Sequence, residues 1–221
     1  YIGVPLAYIP SPNPDGTPST GSVSYAEYFL NPFLESLREI GVFPEIEMNH
    51  EAYEDGRFSE KIDEAICNRQ KIREIIMTVS GRDLPEDWFP YNPRGPNGSM
   101  DGVTVTDYEY PFVSWEDEDG VTGTADIRKA DGKMPWRIDW AARWIIHQVT
   151  CEPAGKDHGA AGGSFDTGIP ICEVLGGTPP EKIVYEWIQL KGMGPMYSSS
   201  VVTIGPMEAL SLVPPEILRY V

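Results

Sequence analysis

Apolar residues recur at helical spacing along much of this chain. Phe29, Phe33, Leu34, Leu37 and Ile40 predict a helix that begins after Ser24. Pro32 is expected to kink it or delay its start, and Gly41 to stop it. Ile62, Ile66, Ile72, Ile75 and Ile76 give an apolar face to a second helix, capped by Ser59 and running to about Met77. Trp136, Trp140 and Trp144 mark one face of a third, over 136–147. Between these helices the pattern shortens to that of strands. Stretches 103–106, 111–115 and 121–127 predict a small antiparallel meander, with Asp119-Gly120 as the turn between its last two strands. Isolated strands are expected at 43–48, 148–152 and 183–190. A helix running through Leu175 carries Pro170 as an irregularity, and Pro215 opens a closing helix. Residues 1–24 and 81–102 are rich in proline and glycine and predict loops.

Strands alternating with helices imply a parallel sheet. The expected fold class is therefore α/β: a partial Rossmann-type parallel sheet with helices, carrying a small antiparallel β insertion. The chain divides accordingly into a middle part of the core with a preceding loop (1–80), an inserted β-rich connective module (81–130) and the second half of the core (131–221).

Composition narrows the function classes. The net charge of −17 argues against gripping nucleic acid by charge alone, so any such contact needs a local basic patch or a further part of the protein. No stretch approaches the roughly 20 uninterrupted apolar residues of a membrane helix. No basic leader precedes an apolar run, so no secretion signal is expected. Cys67, Cys151 and Cys172 are odd in number and far apart, which fits free thiols rather than a disulfide framework or paired metal ligands. The chain opens on Tyr1 within a predicted loop, as a fragment or a processed product does.

The candidate chemistry gathers in the last third. Gly155 to Gly163 follows a predicted strand and precedes a helix, where open α/β sheets bind ligands. Glycines there let backbone approach a nucleotide, and a helix N-terminus offers N–H groups to anions. A tight strand-to-helix turn is the plainer explanation of the same glycines. The tryptophan stripe reads as core, or at the start of the helix, near Asp157 and His158, as a ring that stacks on a cationic side chain. His158 is either a satisfied structural histidine or, beside Asp157, a site residue with a tunable charge.

Several segments carry a resemblance. These are Lys133-Met134-Pro135-Trp136 continuing to Trp144, then Ala154-Gly155-Lys156-Asp157-His158, then Gly162 to Gly168, then Tyr185 to Gly192. In this order and spacing they resemble class I lysyl-tRNA synthetases, as do residues 24–29 and 56–62. The resemblance implies an enzyme that activates L-lysine with ATP, with Mg2+ accompanying the nucleotide, and transfers it to tRNA(Lys). It implies a cytoplasmic protein with no DNA or membrane partner. By analogy Trp136, His158 and Tyr185 match lysine-pocket positions. Gly155, Asp157, Gly162 and Gly163 match nucleotide positions, with Gly155 against adenosine and Asp157 on the ribose. The family's histidine motif of the opening strand-to-helix turn is absent from these residues. Its flexible loop is reduced to a remnant at Met196, Ser198, Ser199 and Ser200, without either lysine. Many members hold zinc in the inserted region. No cysteine lies between Cys67 and Cys151, and Tyr28 stands where a family histidine often does, so no zinc is expected. Two other readings stay open: an inactive paralogue kept as a binding or regulatory module, and another class I synthetase or an unrelated nucleotide-binding α/β enzyme.

Overall fold

A computed structural model of the chain describes residues 1–192, 194–196 and 203–220. In chain order the elements are α1 (Tyr25–Glu39), α2 (Asn49–Glu54), α3 (Ser59–Cys67), α4 (Arg69–Ser80), β1 (Asn92–Pro93), β2 (Val103–Glu109), β3 (Phe112–Asp117), β4 (Thr122–Asp126) and β5 (Gly132–Lys133). There follow α5 (Trp136–Ile146), β6 (Cys151–Gly155), α6 (Lys156–Gly159), α7 (Ser164–Val174), β7 (Glu181–Tyr185), β8 (Gln189–Leu190), β9 (Gly194–Pro195), α8 (Pro206–Leu212) and α9 (Pro215–Tyr220). They fall into two compact units, one of residues 3–47 with 187–221, the other of residues 48–186.

In the first unit, α1 starts where the sequence places it. Ser24 Oγ accepts from the Glu27 amide while the Glu27 carboxylate accepts from the Ser24 amide, a reciprocal capping box. Pro32 sits inside the helix rather than delaying it. Gly41, at φ 73°, ends the turn that follows. Helices α1 and α8 pack together, and β8 and β9 form a short antiparallel pair.

The second unit contains the core. Its βαβ element is the parallel pair β6–β7, joined through α6 and α7, with Cys151 opposite Glu181 and Gly155 opposite Tyr185. Helices α4 and α5 both pack on α7. Phe58, Ile62, Ile72, Ile138, Trp144, Phe165, Ile171 and Leu175 are fully buried among them. The approach of α5 to α7 is close enough to need a glycine: a Cβ on Gly168 would lie 2.6 Å from the Trp144 ring. Strands β2, β3 and β4 form the expected meander, inserted ahead of the βαβ element. Its last turn is the Asp119-Gly120 turn, with Gly120 at φ 77° and Asp117 accepting from the Asp119 and Val121 amides.

Several local expectations are corrected. Residues 43–47 are exposed and 43–48 form no strand, because a strand needs a partner and none of the described residues supplies one there. Ser59 is the first residue of α3 rather than its cap, and its Oγ donates to the Gly56 carbonyl. The expected continuous helix is broken at Asn68, whose side-chain amide donates to the Glu64 carbonyl and closes α3. The strand expected at 148–152 lies later, at β6, since Gln148 takes φ 51° and residues 148–150 turn the chain out of α5. Pro153 within β6 lacks a donor. A strand hydrogen-bonded on one side tolerates this. Similarly, the strand expected at 183–190 is β7, which ends at Tyr185.

Candidate functional site

The second unit brings most of the predicted site residues to one end of its parallel pair. Gly155 ends β6 and Tyr185 ends β7, directly opposite in register. Placing a Cβ on Gly155 would bring it 3.7 Å from the Tyr185 ring and 2.7 Å from Asp157 Oδ1. Helix α6 begins at once, so Asp157 and His158 sit just beyond the carboxyl end of β6. Their side chains approach to 3.4 Å, both about half exposed.

Trp136 reaches this place from the N-terminus of α5. Its ring meets the His158 imidazole edge-on at a centroid separation of 5.4 Å and stacks on Trp140 at 5.4 Å. The stripe then divides by burial. Trp144 is 1% exposed and packs on Phe165, whereas Trp136 is 42% exposed. The stripe is therefore core at its Trp144 end and partly open to solvent at its Trp136 end. Trp140 lies between them, its indole N–H donating to Glu152 at 3.2 Å. The Arg137 guanidinium already lies 5.5 Å from the Trp136 ring centroid and donates to Ser164 Oγ. Burial and the neighbouring Arg82 lower its pKa.

The glycines have causes of their own. Gly162 adopts φ 74°, and its amide donates to Asp166 at 3.0 Å. A Cβ on Gly163 would lie 2.5 Å from the His158 carbonyl. Tight turning thus accounts for both, and the Gly163 amide is taken within the loop by the Ala160 carbonyl at 2.9 Å. One group missed from sequence holds this loop. Lys182 on β7 donates to Asp166 and to the Gly159 carbonyl, and sits over the Phe165 ring. The Lys182 hydrogen bond holds the Asp166 carboxyl below its usual range, helped by the Gly162 amide. An acid and a lysine sixteen residues apart give no sequence signal of pairing.

Of the flexible-loop remnant, Met196 follows β9 in the first unit, while Ser198, Ser199 and Ser200 lie outside the described residues. Among the described residues no group of three or more His, Cys, Asp or Glu side chains is disposed to hold a metal ion. None of their helices is long and apolar enough to cross a membrane. Cys67, Cys151 and Cys172 are free thiols, and burial raises the Cys172 pKa to about 11.

A parallel βαβ unit with polar and aromatic side chains gathered beyond its carboxyl ends defines a Rossmann-type α/β protein. Comparison with known proteins is specific. The chain belongs to the family described as tRNA synthetases class I (K), whose profile matches residues 1–221. It is 45% identical over 222 residues to a lysine–tRNA ligase of Picrophilus torridus, covering all of this chain and 43% of that protein. It is 43% identical to the lysine–tRNA ligase of Thermoplasma acidophilum, and 41% to that of Archaeoglobus fulgidus. In these it covers 42% and 44% of the relative. The chain thus spans less than half the length of the curated relatives it matches.

Proposed function

We propose that this chain is the middle and later part of a class I lysyl-tRNA synthetase core, which activates L-lysine with ATP and charges tRNA(Lys). The division into core segments 1–80 and 131–221 around an inserted module 81–130 belongs to the same proposal. The observation that carries it is the 5.4 Å contact of Trp136 with His158 just past the end of β6, beside the Gly155–Tyr185 pair. An open indole face suits the stem and ammonium of lysine, which takes the place beside Trp136 that Arg137 now shares. The phenol of Tyr185 and the imidazole of His158 orient that ligand. Gly155 allows adenosine close to the backbone, Asp157 accepts from ribose hydroxyls, and Gly162 and Gly163 shape the nucleotide loop through their tight turn, their amides being taken by Asp166 and the Ala160 carbonyl.

The chemistry is attack by a lysine carboxylate oxygen on the α-phosphorus of ATP, with pyrophosphate leaving. Here the protein's work is to align the two reactants and stabilise phosphate charge. Magnesium enters with the nucleotide, since a metal of this kind is held largely by phosphate oxygens.

Calorimetric titration of L-lysine into the parent and into Trp136→Ala tests the pocket. Lysine affinity that is absent from the parent or equal in the two proteins refutes it. A binding role without turnover is the second reading, favoured by the lack of any lysine in residues 195–202. Losing one donor to developing phosphate charge typically costs about 10²–10³ in rate. Lysine-dependent exchange of pyrophosphate into ATP separates the two readings: exchange marks an enzyme, and lysine binding without exchange marks a module.

A further inference from the structure

The half-exposed Trp136 is held at the site by the backbone beneath it, because α5 has no side-chain cap at its N-terminus. A phenol from elsewhere grips that backbone. The Tyr53 hydroxyl, on α2, donates to Asp139 Oδ1 at 2.7 Å and accepts from the Met134 amide at 3.2 Å. It therefore bridges the residue two before Trp136 to the residue three after it. Every part of this bridge is buried: Tyr53 is 4% exposed, Met134 1% and Asp139 0%. Asp139 is further held by the Asn49 amide at 3.3 Å and by Arg143, whose Nη2 lies 2.9 Å from Oδ2. The Tyr53 ring is itself locked by stacking on Phe58 at 4.1 Å with the planes 6° apart.

From this we infer that Tyr53, acting through Asp139 and Met134, is a positioning residue that sets the Trp136 ring against His158. The inference rests on the proposed lysine site. A bridge over one corner of backbone fixes direction as well as stability, since a small change at Met134 swings the indole, the first side chain of α5. Burial explains why it is a bridge rather than an isolated bond. With the hydroxyl removed, the Met134 amide loses its partner in a dry setting, and the corner must move to find another. The nucleotide loop is held separately, by Lys182 and Asp166. Loss of the bridge is therefore selective for lysine over ATP.

The test uses the full chain labelled with 5-fluorotryptophan, whose resonances are assigned by replacing each tryptophan. Tyr53→Phe keeps the stacked ring and removes the hydroxyl. We expect the Trp136 and Trp140 resonances to shift while those of Trp88 and Trp115 stay. Lysine Kd rises about tenfold, with ATP Kd within about twofold, for loss of one bridging hydroxyl. An unmoved Trp136 resonance overturns the inference whatever lysine does. A shifted resonance in a protein whose parent binds no lysine supports the positioning role and overturns only the lysine reading. Should Tyr53→Phe fail to fold, Asp139→Asn and Asp139→Ala decide. Asparagine keeps an acceptor for Tyr53 and the parent resonance, alanine does not, and identical spectra for the two overturn the inference.

Discussion

Lys182 Nζ lies 2.8 Å from Asp166 Oδ1, tying strand β7 to the first turn of α7 across the loop that bears Gly162. Because the folded carboxyl titrates below its unfolded value of about 3.9, its stabilisation is present above that pH. It is lost as the pH falls through the folded value. The pair is about one-third exposed, so its contribution is discounted for solvent screening. Asp166→Asn should lower stability by about 1 kcal/mol at pH 7, and by much less near pH 3. Urea unfolding at both values measures this, and an equal deficit at the two would show that the ion pair is not the cause.

The tryptophan stripe should separate by burial. Trp144→Ala empties a site 1% exposed and is expected to cost about 3–5 kcal/mol. Trp136→Ala removes a ring 42% exposed and should cost far less stability while abolishing most lysine affinity. Denaturation midpoints with calorimetry on both variants give the contrast, and similar stability losses would contradict it.

Gly163→Ala should be poorly tolerated. Its Cβ would meet the His158 carbonyl at 2.5 Å and the Ala160 carbonyl at 2.7 Å, both backbone atoms that cannot rotate away. Overpacking of this kind costs about 1–3 kcal/mol. At Gly155 the nearest obstacle is the Asp157 carboxylate, a half-exposed side chain that can turn aside. Gly155→Ala is therefore expected to fold near the parent's stability and to lose nucleotide affinity. Thermal melts read with ATP titrations distinguish the two.

No cysteine separates Cys67 from Cys151, so residues 68–150 lack thiolate ligands. Elemental analysis of the purified protein should show no stoichiometric zinc. One tightly held zinc per molecule would overturn that expectation.

Much of the fold was legible because periodicity reports burial of whole faces. The helix start after Ser24, the meander with its Asp119-Gly120 turn and the helix from Trp136 all follow from local spacing. Strand positions slipped where local pattern and pairing disagreed. Apolar residues near 43–48 look like a strand until no partner is found, and Pro153 disguises β6. Asp157, His158 and the glycines stood out as a candidate site because they cluster within nine residues of chain.

The sequence by itself determined which segments are helical, where the tightest turns fall and which family the chain resembles, since these depend on residues near one another. Tertiary structure alone decided that Trp136 meets His158, that Tyr185 faces Gly155, that the Tyr53 hydroxyl bridges Met134 to Asp139 and that Lys182 pairs with Asp166. Those pairs join elements distant in sequence. Their contact depends on how a parallel crossover brings strand ends and helix starts together, which no local pattern encodes.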